Sequence, residues 1–176
     1  MKPSPQTVAH HARYCADNAK SVRHSVLKGS VKMSGTHLDL SALRNAIASL
    51  EDGLEVVGDS GWFSAQSGKV QNTLIAGVIQ NFEFVYEICI KMIRRQIELE
   101  SASPDEVDVT NFRDLLRVAA EKGLVDDVEA WFKYRHMRNI TAHTYDHEKA
   151  QQVYQGTLIF IRDARALLHA LEARNA

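Results

Sequence analysis

Apolar residues recur at the period of an α-helix through most of the chain beyond residue 40. A first stripe predicts a helix over residues 41–57 and consists of Leu40, Leu43, Ile47, Leu50, Leu54 and Val57. A second, wider stripe runs through residues 69–100 and predicts a helix about 45–50 Å long at 1.5 Å per residue. Because this stripe covers much of the helix circumference, we expect the second helix to be central to the fold.

Three further helices are predicted in the second half of the chain. The first spans residues 110–123, with Thr110 as a good N-cap and a glycine at its end. The next two span residues 126–143 and 146–172, and Asp146 is a plausible cap for the last of them. These elements are joined by short polar stretches.

The remaining pattern contains no signal for strands. No useful stretch alternates apolar and polar residues as a half-buried strand does. The Gly- and Ser-rich stretch around Trp62 and Phe63 is predicted to be a loop. The fold class is therefore predicted to be all-α, an antiparallel helical bundle of about five helices.

Residues 1–37 differ from the rest of the chain in charge. They carry six Lys or Arg residues and one Asp, whereas residues 38–176 carry 15 basic and 21 acidic residues. We therefore distinguish a basic N-terminal extension, residues 1–37, from a helical domain, residues 38–176. Alternatively, Met33 is the native start. A seam of small apolar residues in the extension is compatible with an additional helix: Val8, Ala12, Cys15, Ala19, Val22 and Val26.

The composition of the chain indicates a globular protein and argues against a membrane protein. The chain is 45% hydrophobic and 24% charged, as is typical of globular domains. Its longest purely apolar run, residues 74–79, is too short to cross a membrane, and its N-terminus has no apolar signal core. Cys15 and Cys89 are far apart, which favours reduced thiols. These features predict a cytoplasmic protein without a membrane partner.

Motifs for common cofactor and metal sites are absent from the sequence. It has no phosphate-binding Gly-x4-Gly-Lys-Ser/Thr loop, no Gly-x-Gly-x-x-Gly and no Gly-x-Ser-x-Gly elbow. It also has no paired Cys-x-x-Cys motifs. His143 and His147 are four residues apart, but a turn is predicted between them and the intervening residues match no zinc motif. We therefore expect neither a metal nor a bound cofactor.

Residues 134–146 concentrate cations, imidazoles and phenols between two predicted helices. One interpretation is structural, because basic side chains favour the C-terminal end of a helix and Asp146 caps the next one. The other is a functional site, because Arg138 and Tyr145 share one face of a helix. Arg138 and His143 point about 140° apart on a straight helix. Their convergence requires a distorted helix end or a second copy of the chain, which suggests a site at a dimer interface.

Arg138, His143 and Tyr145 reproduce the Arg-x4-His-x-Tyr motif of the HEPN superfamily. The chain most resembles its HepT-like branch, which is also described as nucleotidyltransferase substrate-binding proteins. The resemblance extends over residues 38–171. Its other matching stretches are residues 77–87 with Lys91, and Trp131 with residues 137–146.

This resemblance implies a homodimeric helical bundle that is the toxin of a toxin–antitoxin pair. Such toxins are metal-independent RNases, and a minimal nucleotidyltransferase antitoxin neutralises them by transferring AMP from ATP to the motif tyrosine, here Tyr145. Another description of the family is a non-catalytic substrate-binding subunit of a two-component nucleotidyltransferase. A third alternative is a helical dimer with a relict motif. The chain lacks the residue pattern of a nucleotidyltransferase, so in each case the nucleotide chemistry belongs to the partner.

The chemistry of the motif residues suits RNA cleavage without a metal. The guanidinium of Arg138 matches phosphate oxygens, and the imidazole of His143 can act as acid or base near neutral pH. Asn139 would orient His143 or donate to phosphate. An AMP group on Tyr145 would fill the cleft and pair with Arg138.

Three charged residues are candidates for supporting roles. Glu83 and Glu87 lie four residues apart on the long helix and could hold Arg138 or Arg135 in place. A solvated salt bridge without catalytic effect is the alternative. Arg135 could also widen an RNA-binding patch, or could be an ordinary surface residue.

Overall fold

The structure is a computed structural model that describes residues 37–101, 111–141 and 147–176. Within these ranges it contains six helices and no strand, which confirms the predicted all-α fold. Residues 1–36 of the basic extension lie outside the described residues, and so do its predicted helix and Met33. The division of the chain at residue 37 therefore stays a prediction.

The helices follow the predicted order with one short addition. The first three are α1 (Ser41–Gly58), α2 (Ser60–Ser64) and α3 (Gly68–Glu100). The last three are α4 (Phe112–Glu121), α5 (Val128–Ile140) and α6 (His147–Arg174). Each of the five helices predicted between residues 41 and 172 is present within a few residues of its expected bounds, because the apolar period identifies the face that each one buries.

The loop predicted around Trp62 and Phe63 is instead the short helix α2. Asp59 caps it, and its side chain accepts a hydrogen bond from the backbone N–H of Trp62 at 3.1 Å. One turn is too short to repeat an apolar period, so the sequence pattern cannot reveal such a helix.

The ends of α4 and α5 are determined by local hydrogen bonds. Asn111, rather than Thr110, caps α4, and Asp127 caps α5. Gly123 has a φ of +67°, the left-handed conformation that closes α4 at the predicted glycine. The α-helical part of α5 ends at Ile140, three residues before the predicted end at His143.

Contacts between distant residues define the directions of the helices. α1 is antiparallel to α6 through two ion pairs, Arg44–Glu172 and Glu51–Arg165. The two long helices α3 and α6 instead run in the same direction, as shown by two contacts, Phe82–Phe160 and Gln96–Asn175. Three other pairs of neighbours, α1 with α3, α3 with α5 and α5 with α6, are antiparallel. The bundle is therefore antiparallel between these neighbours, but not between its two longest helices.

α3 is the central helix, as its wide stripe predicts. Its fully buried side chains include Phe82 and Ile93, and they form one continuous core with α1 and α6. By length and composition alone α3 could cross a membrane. Most of its large apolar side chains are buried against the other helices, with Val70 and Phe84 as exposed exceptions, and its outer positions include Glu87 and Lys91. α3 is therefore the core helix of the bundle.

Aromatic packing anchors α5 on α6. Trp131 and Tyr134 meet the ring of Phe160 edge-on, with centroids 6.2 and 5.0 Å apart. One turn later Met137 packs onto Gly156, where an added Cβ would lie 2.5 Å from the methionine sulfur. This close contact directs the neighbouring flank of α5, with Arg138, towards α3.

A polar network closes the bundle where α3 and α6 end; we call Gln96, Glu100, Lys122, Arg174 and Asn175 the C-terminal network. Glu100 accepts a hydrogen bond from Gln96 at 2.9 Å and pairs with Lys122 at 3.1 Å and with Arg174 at 3.4 Å. Arg174 also donates to two backbone carbonyls, those of Ala170 and Lys122. Asn175 donates to Gln96 at 2.8 Å and accepts from the backbone N–H of Leu38 at 2.7 Å. The network thus ties four segments of the chain together.

Candidate functional site

Arg138 lies in the last turn of α5 and reaches across to α3. Its Nε donates to the carboxylate of Glu87 at 2.6 Å, and its Nη1 lies 3.9 Å from an oxygen of Glu83. The two glutamates are one turn apart on α3, so both face the end of α5. The predicted support of Arg138 by an acidic pair on the long helix thus agrees with the geometry.

Thr141 completes this arrangement, and we call Glu83, Glu87, Arg138 and Thr141 the Arg138 cluster. Thr141 is buried, with 6% of its surface exposed, and its hydroxyl contacts both the carboxylate of Glu83 and the backbone carbonyl of Arg138. Thr141 therefore links the end of α5 to Glu83 on α3, and the sequence alone offers no reason to expect this link. A threonine in the last turn of a helix carries no distinctive pattern, which is why it was missed.

The guanidinium of Arg138 is both charged and accessible to solvent. Its hydrogen bond to Glu87 raises the pKa of Arg138 further above its ordinary value, with added attraction from Glu83. The side chain is still 40% exposed, and among the described residues only its Nε has a hydrogen-bond acceptor. Its other donors can therefore reach an anion such as a phosphate.

Tyr86 forms the buried floor beside this cluster. Burial raises the pKa of its phenol well above the ordinary value, and attraction to Arg135 and Arg138 opposes this only in part. Tyr86 therefore stays neutral, and both arginines lie close enough to influence it.

Arg135 and Asn139 are on α5, on the flank beside Arg138. Arg135 is not paired with either glutamate; its guanidinium carbon lies 4.3 Å from the centre of the Phe112 ring on α4. Asn139 is exposed. The prediction that Glu83 or Glu87 holds Arg135 therefore has no support in the structure, because the aromatic ring of Phe112 holds it instead.

His143, Tyr145 and Asp146 lie outside the described residues, and so does the side chain of His147. The angle expected between Arg138 and His143 assumed one straight helix. Since the regular helix ends at Ile140 and Thr141 continues it as a 3₁₀ turn, that assumption does not hold. A distorted helix end and a second copy of the chain both remain ways to bring the two side chains together.

Comparison with known proteins gives the family. A family model described as "Nucleotidyltransferase substrate binding protein like" matches residues 38–173. The chain belongs to this family. A Haemophilus influenzae protein described as "Probable ribonuclease HepT" is 45% identical over 138 residues, which are 78% of this chain and 94% of that protein.

A solved structure supports the same assignment. It is described as revealing the fold of a substrate-binding domain of a nucleotidyltransferase from Haemophilus influenzae. It superposes with a TM-score of 0.74 at 44% identity and covers 76% of this chain and 99% of its own. The predicted membership of the HepT-like family is therefore confirmed, and the residues that match the family model include α5, which carries Arg138.

A partly enclosed cavity of this HepT-like domain lies away from the Arg138 cluster. It has a volume of about 330 Å³ and is lined at the start of α5 by Asp126, Asp127 and Trp131, and on α6 by Asp163 and His169. Three carboxylates make this cavity unsuited to a phosphate group. Among the described side chains, no group of three His, Cys, Asp or Glu residues could hold a metal.

Proposed function

We propose that the chain is a metal-independent RNase toxin that a partner nucleotidyltransferase silences by placing AMP on Tyr145. The observation that carries the proposal is Arg138, a charged and 40% exposed guanidinium that Glu87 holds at the end of α5, five residues before His143. The description of a 45% identical relative as a probable ribonuclease supports it.

The cleavage reaction would use the 2′-hydroxyl of RNA as the nucleophile. His143 takes the 2′-hydroxyl proton, the 2′-oxygen attacks the neighbouring phosphorus, and the 5′-oxygen leaves with a proton from an imidazolium or water. Arg138 stabilises the negative charge on the phosphorane, and Asn139 orients His143 or donates to the phosphate. The products are a 2′,3′-cyclic phosphate and a 5′-hydroxyl, and no step needs a metal.

Modification of Tyr145 would inactivate the site by filling it. In this proposal Tyr145 lies near Arg138, and its AMP carries a negative phosphate that competes with RNA for the guanidinium. The partner would bind ATP, and the Tyr145 hydroxyl of this chain would lose its proton and attack the α-phosphorus. The bond between the α- and β-phosphates breaks and pyrophosphate leaves, so this chain supplies only the acceptor and needs no cofactor. A homodimer would line one cleft with two copies of Arg138 and His143.

The test is RNA cleavage in EDTA by the purified full chain and its His143→Ala variant. Intact mass first shows whether Tyr145 is unmodified. We expect the unmodified chain to cleave tRNA or total RNA to 2′,3′-cyclic phosphate ends, and the variant to be inactive but folded by circular dichroism. Full cleavage by the variant would contradict the assignment.

A second candidate is a non-catalytic subunit that presents a substrate to a nucleotidyltransferase. The family description and that of the Haemophilus influenzae structure both favour it, since each names substrate binding. It predicts no cleavage by unmodified chain, and transfer of a nucleotide to a third molecule only when chain and transferase are combined. Absence of both activities would instead point to a relict motif.

A further inference from the structure

Two arginines beside the Arg138 cluster are held by aromatic rings. The guanidinium carbon of Arg135 lies 4.3 Å from the ring centre of Phe112, and that of Arg113 lies 5.3 Å from the ring centre of Phe132. The two rings meet edge-on with centroids 5.7 Å apart. We call these four residues the arginine strip. It spans α4 and α5, with each helix supplying one ring and one cation.

The strip carries positive charge that no described carboxylate neutralises. Neither Arg113 nor Arg135 forms an ion pair with a residue in the described ranges, and both are exposed. The neighbouring carboxylate of Asp114 accepts a hydrogen bond from Asn111 instead. By contrast, Arg44 and Arg165 on the opposite side of the bundle each pair with a glutamate.

The strip is continuous with the candidate site. Arg135 precedes Arg138 by three residues and Asn139 by four, so the three side chains occupy one flank of α5 within about 6 Å of helix length. Tyr86 lies close enough to both arginines to be influenced by each. A ligand bound at Arg138 that extends along α5 towards α4 therefore meets Arg135 first and Arg113 next.

We propose that Arg113 and Arg135 bind the RNA backbone at phosphates next to the one held by Arg138. This inference rests on the proposed function only in taking RNA as the ligand. An aromatic ring occupies one face of each guanidinium and leaves its N–H edge for phosphate oxygens. Because the rings already restrict the arginine rotamers, less conformational entropy is lost when RNA binds.

The test measures RNA binding separately from cleavage. The protein is the full chain with His143→Ala, and the probe is a fluorescein-labelled single-stranded RNA of mixed sequence, followed by anisotropy from low to high salt. Each contact between a cation and a single-stranded phosphate contributes about 0.7 to the slope of log K against log salt, or about fivefold in affinity at 0.1 M. We expect Arg113→Gln and Arg135→Gln each to lower the slope by about 0.7 and the affinity by about fivefold. The double variant should lower the slope by about 1.4.

Two controls separate phosphate binding from general charge and from folding. Arg44→Gln removes the same charge on the opposite side of the bundle, where Arg44 pairs with Glu172, and should leave the slope unchanged. The double variant Arg113→Lys, Arg135→Lys keeps the charges but loses the planar guanidinium groups that lie over the rings. It should keep the slope and bind RNA more weakly than its parent.

The outcomes distinguish this inference from the proposed function. The RNase proposal fails if the chain with His143 intact cleaves no RNA. If the double Gln variant nevertheless shows a smaller salt slope of RNA binding than its parent, the phosphate-binding role of the arginine strip is still supported. If the double Gln variant binds RNA with the affinity and slope of its parent, or the parent binds no RNA, the strip is overturned. Unchanged RNA binding with lost association to the partner transferase would assign these arginines to a protein interface instead and would also overturn it.

Discussion

The Arg138 cluster and the C-terminal network use the same chemistry at two positions about 20 Å apart along α3. Each joins a guanidinium near a helix end to a carboxylate of α3. In the C-terminal network one carboxylate, Glu100, receives two cations, and Arg174 also bonds to two backbone carbonyls. In the Arg138 cluster two carboxylates face one cation. Among the described residues, the Arg138 side chain donates one hydrogen bond, to the side chain of Glu87, and none to a backbone carbonyl.

This difference separates a structural arginine from one that is available to a ligand. Arg174 donates to two helix-end carbonyls and also pairs with Glu100, so removing it breaks three interactions at once. Arg138 is more exposed, with 40% of its side chain accessible against 28% for Arg174. An exposed ion pair adds less than about 1 kcal/mol to stability. The geometry of the Arg138 cluster is therefore better explained by function than by folding.

The largest expected effect is loss of RNA cleavage in Arg138→Ala. If Arg138 stabilises the phosphorane, kcat should fall by about 100- to 1,000-fold, as for the loss of one strong oxyanion donor. Arg138→Lys should restore little, because an ammonium cannot reproduce the guanidinium fork. The measurement is RNA cleavage in EDTA, with thermal unfolding expected to change little. A fully active Arg138→Ala variant would contradict the role of this residue.

Arg174→Ala should show the opposite pattern. It leaves Glu100 with one cation and removes two hydrogen bonds to backbone carbonyls, at a cost of about 1–2 kcal/mol. In a domain of this size that lowers Tm by about 2–8 °C, while kcat for RNA stays near that of the wild type. Calorimetry and the cleavage assay at a temperature below both transitions measure the two quantities. A change in kcat without a change in Tm would reverse the comparison.

The sequence predicts the helices better than the site. The apolar period locates all five long helices, and Gly123 marks the end of α4, because both signals are local. The short helix α2 has too few residues to repeat an apolar period, and the end of α5 at Ile140 carries no apolar signal. The common direction of α3 and α6 depends on tertiary contacts that spacing does not encode.

In the candidate site, too, the sequence identifies residues that carry a local signal and misses contacts that only the fold creates. Arg138 was singled out through its motif, and Glu83 and Glu87 through their i, i+4 spacing on a helix. The pairing of Arg138 with Glu87 joins residues 51 positions apart, so only the fold brings them together. Phe112 as the partner of Arg135 and Thr141 as the partner of Glu83 were not foreseen, because an aromatic residue and a threonine in ordinary helical positions give no signal of their own.

Thr141→Val is expected to have an intermediate effect. Valine has nearly the same shape but cannot hydrogen-bond, so Glu83 and the end of α5 lose their connection, at a cost of about 1 kcal/mol. Since Thr141 is a positioning residue, we expect a lower kcat with little change in KM for RNA. Thr141→Ser keeps the hydroxyl and should recover most of the activity. Equal activity of the Val and Ser variants would show that the hydroxyl has no part in positioning.

The smallest effect concerns the pH dependence of stability in the C-terminal network. Burial acts to raise the pKa of Glu100, but hydrogen bonds from Gln96 and Lys122 lower it more, so the net pKa in the folded protein lies below the ordinary 4.5. The unfolded chain then binds a proton at a higher pH than the folded chain does. The stabilisation from Glu100 is therefore complete above about pH 4.5 and is lost as pH falls through the lower folded pKa.

Glu100→Gln removes this titration, so the variant should lose less stability than the wild type between about pH 5 and pH 3. Urea unfolding across that range measures the difference, although the variant is less stable throughout because two cations lose their carboxylate. Glu87→Gln is the matched control in the Arg138 cluster, where the carboxylate is more exposed, at 55% against 28% for Glu100. Its loss of stability at neutral pH should be smaller than that of Glu100→Gln, since an exposed pair contributes little to folding. If instead Glu87→Gln destabilises the protein as much as Glu100→Gln does, the Arg138 cluster is as structural as the C-terminal network and the distinction between them fails.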